Sequence, residues 1–368
     1  MVLRRLTAAS TALAALASVW FLVAFVSART GTLPPQLTDR EFWRLSQELS
    51  EPNGTFRSDN LLSNEVWLQH VIPELLKTAR PGRVYLGVGP EQNFTYIAAL
   101  KPAMVFIIDV RRGNLQLHLW YKALFELSSD RVDFVAKLFA KPRPSNLTAA
   151  SSPLDIINAY SEVPTNETLF KHNVKAVREH LTKKRALPLS EEDLLGIETV
   201  AYQFYWFGPA ITYNSSSQNN GYGRRPSTMP TYADLMVATD SDGRNRGYLA
   251  NEENFKVLKD LHTKNLLVPV VGNFAGPKAI RSVGRYIKEH GGVVAAFYLS
   301  NVEQYLDQQG LLPAFCSNVA TLPLDGSSRF IRSVRGGQPN GFRGGFGALM
   351  NLLGNMETET SGCPSDAR

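Results

Sequence analysis

Two periodicities alternate along most of the chain. Short continuous apolar runs at residues 84–86, 104–108, 266–271 and 293–299 read as strands buried on both faces. Between them lie helix-sized segments whose apolar residues recur every three or four positions. The sequence Thr38-Asp39-Arg40-Glu41 carries a cap residue and an acid three positions on, and Phe42, Trp43, Leu45 and Leu49 fit one face of the helix that follows. Further helices are expected over 64–77, 111–125, 129–140, 252–262 and 277–290, and the run 319–324 would add a last edge strand. Pro269 and Pro323 cannot donate to a ladder, so they belong at strand ends or sheet edges. The rhythm predicts a Rossmann-like α/β fold: a mostly parallel sheet with helices on both faces.

From about 142 to 230 the rhythm stops. Two helical segments, 165–184 and 190–206, lead into a polar stretch, 214–230, rich in Ser, Asn and Gly. This predicts a helical insertion ending in a mobile surface loop. Residues 29–38 read as a linker and the Gly-rich 334–368 as a disordered tail, leaving an α/β domain over 39–333.

The N-terminus changes the picture. Residues 8–28 contain no charge, and Arg4 and Arg5 precede them. About 20 apolar residues cross a bilayer, so 1–28 is expected to be a transmembrane anchor or a signal segment. The basic flank should stay in the cytoplasm, making a single-pass membrane protein with an extracytoplasmic domain. Val26-Ser27-Ala28 also suits a signal peptidase, and cleavage after Ala28 would make the product secreted or periplasmic.

Composition adds exclusions. The net charge of +6 is mild and scattered, so no nucleic-acid partner is expected. Cys316 lies in an apolar context and reads as a buried structural thiol, and pairing with Cys363 would require an oxidising compartment. Histidine and cysteine do not cluster at metal spacing, and neither a P-loop nor a Gly-x-Ser-x-Gly elbow occurs. Asp240-Ser-Asp-Gly opens like a calcium loop, but Arg244 and the missing glutamate further on break the pattern.

The chemistry concentrates at strand ends. The first strand ends in Gly87-Val88-Gly89, and the next, roughly 20 residues later, ends in Asp109. This is the layout of a nucleotide-binding βαβ unit without its third glycine. Gly87 would permit the turn, Gly89 a close backbone approach, and Asp109 would accept hydrogen bonds from ribose hydroxyls. Glu91, where a phosphate would lie, argues against NAD and for a phosphate-free nucleoside, S-adenosylmethionine. Because ligands bind beyond the carboxyl ends of parallel strands, four segments should wall one cleft. They are the Gly87 loop with Glu91, Gln92 and Asn93; Asp109 with Arg111, Arg112 and Asn114; Asn273 and Phe274; and Ser300, Asn301, Glu303 and Tyr305. Arg111 is also placed to pair with an acid, Asn273 to cap the next helix, and Glu303 to sit in a first helical turn. A fifth segment, 230–248, gathers Tyr, Asp and Arg in a connection without an evident structural job.

Four stretches, Ser58-Asp-Asn-Leu-Leu-Ser-Asn-Glu65, Tyr85-Leu-Gly-Val-Gly-Pro-Glu-Gln-Asn-Phe94, Pro230-Thr-Tyr-Ala-Asp-Leu-Met236 and Phe297-Tyr-Leu-Ser-Asn-Val-Glu-Gln-Tyr305, carry a resemblance. Together they resemble an uncharacterised family of bacterial proteins. Its Rossmann-like domain is similar to that of class I S-adenosylmethionine-dependent methyltransferases. The resemblance spans about 39–333. It implies that Gly87 and Gly89 lie under the methionine part of the cofactor and that Asp109 holds the ribose. It also implies that Asn273 and Phe274 form the polar–aromatic pair near the transferred methyl. Glu91 in place of glycine, and no Pro-Pro after Asn273, depart from the methyltransferase pattern. Methyl transfer needs mainly alignment and a polar group to orient the acceptor, for which Asn273, Tyr298 or Glu303 is placed. The acceptor, small molecule or protein, is left open. The alternative is an exported binding or scaffold module that keeps the fold without the cofactor.

Overall fold

The computed structural model describes residues 31–213, 215, 229–335 and 349–363. Six strands form one sheet in the order β3-β2-β1-β4-β5-β6. They are β1 (Val84–Gly87), β2 (Met104–Asp109), β3 (Leu267–Val271), β4 (Val294–Ser300), β5 (Arg329–Arg335) and β6 (Leu349–Asn355). The first five run parallel, and β6 is antiparallel to β5. The fold is therefore α/β with a mostly parallel sheet. Every residue of β1, β2 and β3 is buried, which is why these strands read as unbroken apolar runs. Each fully buried Val, Leu, Ile or Phe there contributes roughly 1.5–3 kcal/mol of transfer free energy.

The capping box at Thr38 starts α1 (Asp39–Leu49) as expected, with Phe42, Leu45 and Leu49 buried. Its C-terminal end covers the outer edge of β3. Ser46 Oγ donates to the Pro269 carbonyl, and Val271 N–H donates to Ser50 Oγ. Pro269 thus sits on an edge strand, where its missing N–H costs no ladder bond. The stretch 64–77, expected to be one helix, is helical only in α2 (Ile72–Thr78), and turns precede it. Pro73 at its start favours late initiation.

After β1 come α3 (Gln92–Leu100), β2, α4 (Arg112–Leu127) and α5 (Arg131–Phe139). The insertion then supplies α6 (Pro153–Glu162), α7 (Glu167–Glu179, running into a π turn His180–Lys184), α8 (Glu191–Phe207) and α9 (Tyr232–Val237). Of these, α6 and α9 were not foreseen, although Ser152 with Asp155 and Thr231 with Asp234 each form a capping box. The insertion is part of the core. Arg112 grips the buried Asp193 of α8 with two bonds of 2.7 Å, and the buried Lys122–Glu126 pair is joined by Arg185 and His180. The loop expected over 214–230 lies largely outside the described residues, as does the segment 1–28. No described helix is long and apolar enough to cross a membrane.

Chain order continues with α10 (Glu252–Thr263), β3, α11 (Ala279–Glu289), β4, α12 (Val302–Gln308) and α13 (Leu312–Val319). The expected edge strand at 319–324 is not formed. The residues after α13 turn instead toward β5, and Val294 N–H donates to the Pro323 carbonyl. Two strands were missed. β5 hides behind three arginines, and β6 lies in the stretch expected to be a disordered tail, followed by α14 (Met356–Thr360). The described part of that tail is fastened by a Cys316–Cys363 disulfide, so Cys316 is not the unpaired thiol expected.

Candidate functional site

The order of the sheet reverses at β1, which has β2 on one side and β4 on the other. Crevices for ligands open beyond the carboxyl ends at such a switch point. A cavity of about 750 Å³ occupies this place. Its walls include Gly89 and Gln92 after β1, Asp109 and Arg111 after β2, Asn273 and Phe274 after β3, and Ser300 and Tyr305 after β4. The structure thus brings together all four expected segments.

The glycine turn is built for its own packing as much as for a ligand. A Cβ on Gly87 would come within 1.9 Å of Asn93 Oδ1, so the glycine clears space for that side chain. Asn93 is fully buried, donates to the carbonyls of Val88 (2.9 Å) and Pro90 (2.8 Å), and accepts from Tyr85 Oη. Neither Gly87 nor Asn93 lines the cavity. Gly89 does, at φ +76°, and its carbonyl receives His118 Nε2 at 2.9 Å. Burial holds the His118 pKa down at about 4, so the ring is neutral and Nε2–H is the donor.

Glu91 turns inward, away from the cavity lining. Burial pushes its carboxyl up to about 8, against the pull of the Ser63 and Glu91 backbone N–H groups. It is therefore mostly uncharged at pH 7, and the expectation that its charge would repel a pyrophosphate does not hold. Phosphate still finds a poor cradle. Pro90 has no N–H, and that of Glu91 is committed to its own carboxyl group.

Asp109 is 5% exposed and lies where the ribose residue was expected. Both its oxygens are engaged by Arg111: Oδ1 accepts from the backbone N–H (2.9 Å) and Nε (3.1 Å), and Oδ2 from Nη2 (3.1 Å). Arg111 also donates to the Asp59 carbonyl and so ties down the irregular segment over the cavity. Arg112 and Asn114 face elsewhere. Arg112 pairs with Asp193, and Asn114 is buried with its Oδ1 unpartnered among the described residues.

Beyond β3, Asn273 Oδ1 accepts the Ala275 N–H, and Phe274 stacks on Phe297 at 6.0 Å. The cap of α11 is Glu51, which accepts from the N–H groups of Lys278 and Ala279, so Asn273 is spared that task. Glu303 does not line the cavity and is paired with Arg332.

Sequence reading missed the most polar wall. Glu65, 1% exposed, accepts from Tyr298 Oη (2.6 Å) and Ser300 Oγ (2.6 Å) on Oε1, and from Asn351 Nδ2 (2.8 Å) on Oε2. Ser300 ends β4 at φ +50°, a conformation a serine rarely adopts and one that surrounding contacts must hold. The available signal was the Ser58–Glu65 stretch of the resemblance, whose acid had no assigned partner. The lip is made by Phe56 and Arg57 against Tyr305; Arg57 Nη2 donates to Tyr305 Oη at 2.7 Å.

Of the segment 230–248, Pro230 lines the cavity and most of the rest packs or pairs within the protein. Tyr232 Oη and Tyr248 Oη meet at 2.7 Å in the core, and Asp240 takes Arg246 and the Arg244 N–H. No group of metal-ligating side chains occurs among the described residues.

The chain belongs to a family whose model, described as a domain of unknown function (DUF7790), matches residues 61–344. A comparison with curated proteins gives no match.

Proposed function

We propose that the cavity binds a phosphate-free nucleoside ligand, S-adenosylmethionine, and that the domain transfers its methyl group to an acceptor. The observation that carries this reading is the placement of Gly89 and Asp109 on one cavity, at the ends of adjacent strands beside the switch point. Asp109 would hold ribose hydroxyls through the acceptor capacity that Arg111 leaves on Oδ2. The sparse N–H supply at the start of α3 favours a sulfonium nucleoside over NAD. Alignment of donor and acceptor would come from the walls bearing Asn273, Phe274 and Ser300.

A specific observation favours a second reading, an exported binding module without the cofactor. Cys316 and Cys363 are joined, and such bonds persist in oxidising compartments, where S-adenosylmethionine is not expected. The same bond supports an extracytoplasmic domain behind a membrane anchor or signal segment at 1–28.

Calorimetric titration of the full-length chain with S-adenosylmethionine, S-adenosylhomocysteine and NAD tests the choice. The methyltransferase reading expects micromolar binding of the first two, weakened at least about tenfold in Asp109→Ala. Folded protein that binds none of them leaves the exported module as the account.

A further inference from the structure

The hydrogen bonds around Glu65 have a direction, and it selects a ligand. A carboxylate only accepts, so Tyr298 Oη and Ser300 Oγ both spend their protons on Glu65. Their remaining lone pairs must be met by donors from elsewhere. Tyr298 Oη is met by Gln92 Nε2 at 3.2 Å, and the same amide nitrogen faces the Val88 carbonyl at 3.4 Å. These two acceptors fix which end of the Gln92 amide is nitrogen. Gln92 Oε1 is then left without a partner among the described residues, although the residue is only 4% exposed and lines the cavity. Ser300 Oγ, on the same wall, contacts Glu65 and Tyr298 Oη and keeps lone-pair capacity toward the cavity. Behind both stands a carboxylate whose three donors are all uncharged.

From this we infer that the Gln92–Ser300 wall receives a protonated amine. An ammonium would donate to Gln92 Oε1 and Ser300 Oγ and place a positive charge near Glu65, satisfying the orphaned acceptor and the unpaired carboxylate together. A carboxylate or phosphate there would meet only lone pairs. Trp67, Phe274 and Tyr305 supply apolar wall for the rest of the molecule. The inference deepens the methyltransferase reading, in which the amine belongs either to the methyl acceptor or to the amino-acid end of the cofactor. Its polarity argument needs no nucleoside.

The test compares 2-phenylethylamine with 3-phenylpropionate, which has a similar shape and the opposite charge, by calorimetry on the full-length chain. The amine should bind at least about tenfold tighter than the acid. Glu65→Gln and Gln92→Leu should each weaken it by about tenfold or more, with melting curves confirming the fold. Ser300→Ala carries the same expectation should Glu65→Gln fail to fold. Binding of the acid as tightly as the amine overturns the inference. So does no amine binding at about 10 mM, or amine binding unchanged in the variants. The source of the amine is read from S-adenosylhomocysteine against 5′-methylthioadenosine, which lacks the amino-acid end. Gln92→Leu weakening only the former assigns the amine to the cofactor, whereas joint binding of phenylethylamine and S-adenosylhomocysteine assigns it to an acceptor. Failure of every nucleoside to bind would sink the methyltransferase reading and leave the amine result standing.

Discussion

Glu91 and Asn93 look like ligand residues because they follow a glycine turn, yet their side chains point into the protein. Asn93 replaces missing backbone partners for the turn, and Glu91 is held uncharged by burial. A carboxyl raised in the folded state keeps its proton after the unfolded chain has lost it. Between about 4.5 and about 8 the folded state therefore binds more protons, and stability falls as pH rises through that window. His118 acts oppositely: with its pKa lowered from 6.5 to about 4, it removes stability as pH falls through that range. Burial lowers His262 as well, and both histidines of the unfolded chain still shed protons just above 6.5, so the Glu91 effect stands clear only toward pH 8. We predict that thermal unfolding temperature drops as pH approaches 8 and that Glu91→Gln flattens this slope; an unchanged slope in the variant contradicts the assignment. Asn93→Ala removes the acceptor of Tyr85 Oη and one donor from each of the Val88, Gly89 and Pro90 carbonyls, of which Val88 keeps Gln92 and Gly89 keeps His118. It should cost about 1–3 kcal/mol in a denaturant titration.

At the scale of elements, the parallel strands were legible because burial on both faces leaves a simple mark, a run without polar residues. β5 and β6 left no such mark. In β5, Arg329 and Arg332 flank the buried Phe330 and Ile331, so a largely buried strand reads as charged. β6 follows a glycine-rich stretch whose composition suggests disorder, and only its pairing with β5 from Arg329↔Asn355 onward gives it a place. The cleft segments were legible from the strand ends. The Glu65 network was not, because Glu65, Ser300 and Asn351 are far apart in sequence and no local pattern links them. The disulfide closes a sequence separation of 47 between α13 and the residues after α14. Cys363→Ser should lower unfolding free energy by about 2–4 kcal/mol and speed amide exchange in β6, where equal protection in both forms would refute a fastening role.

For the whole molecule, the cavity and the disulfide point to different settings. The sheet order and cavity suit a nucleoside enzyme, while the paired cysteines and the charge-free 8–28 segment suit life outside the cytoplasm. Location is decided by an alkaline phosphatase fusion after Ala28, which the extracytoplasmic reading expects to be active and an inactive fusion would refute. Function is tested most directly by a crystal structure of the full-length chain with S-adenosylhomocysteine. The account predicts ribose hydroxyls on Asp109, the adenosine beside β2, and the sulfur facing the wall that carries Ser300. A cavity empty at saturating ligand, or a ligand bound away from Gly89 and Asp109, would contradict it.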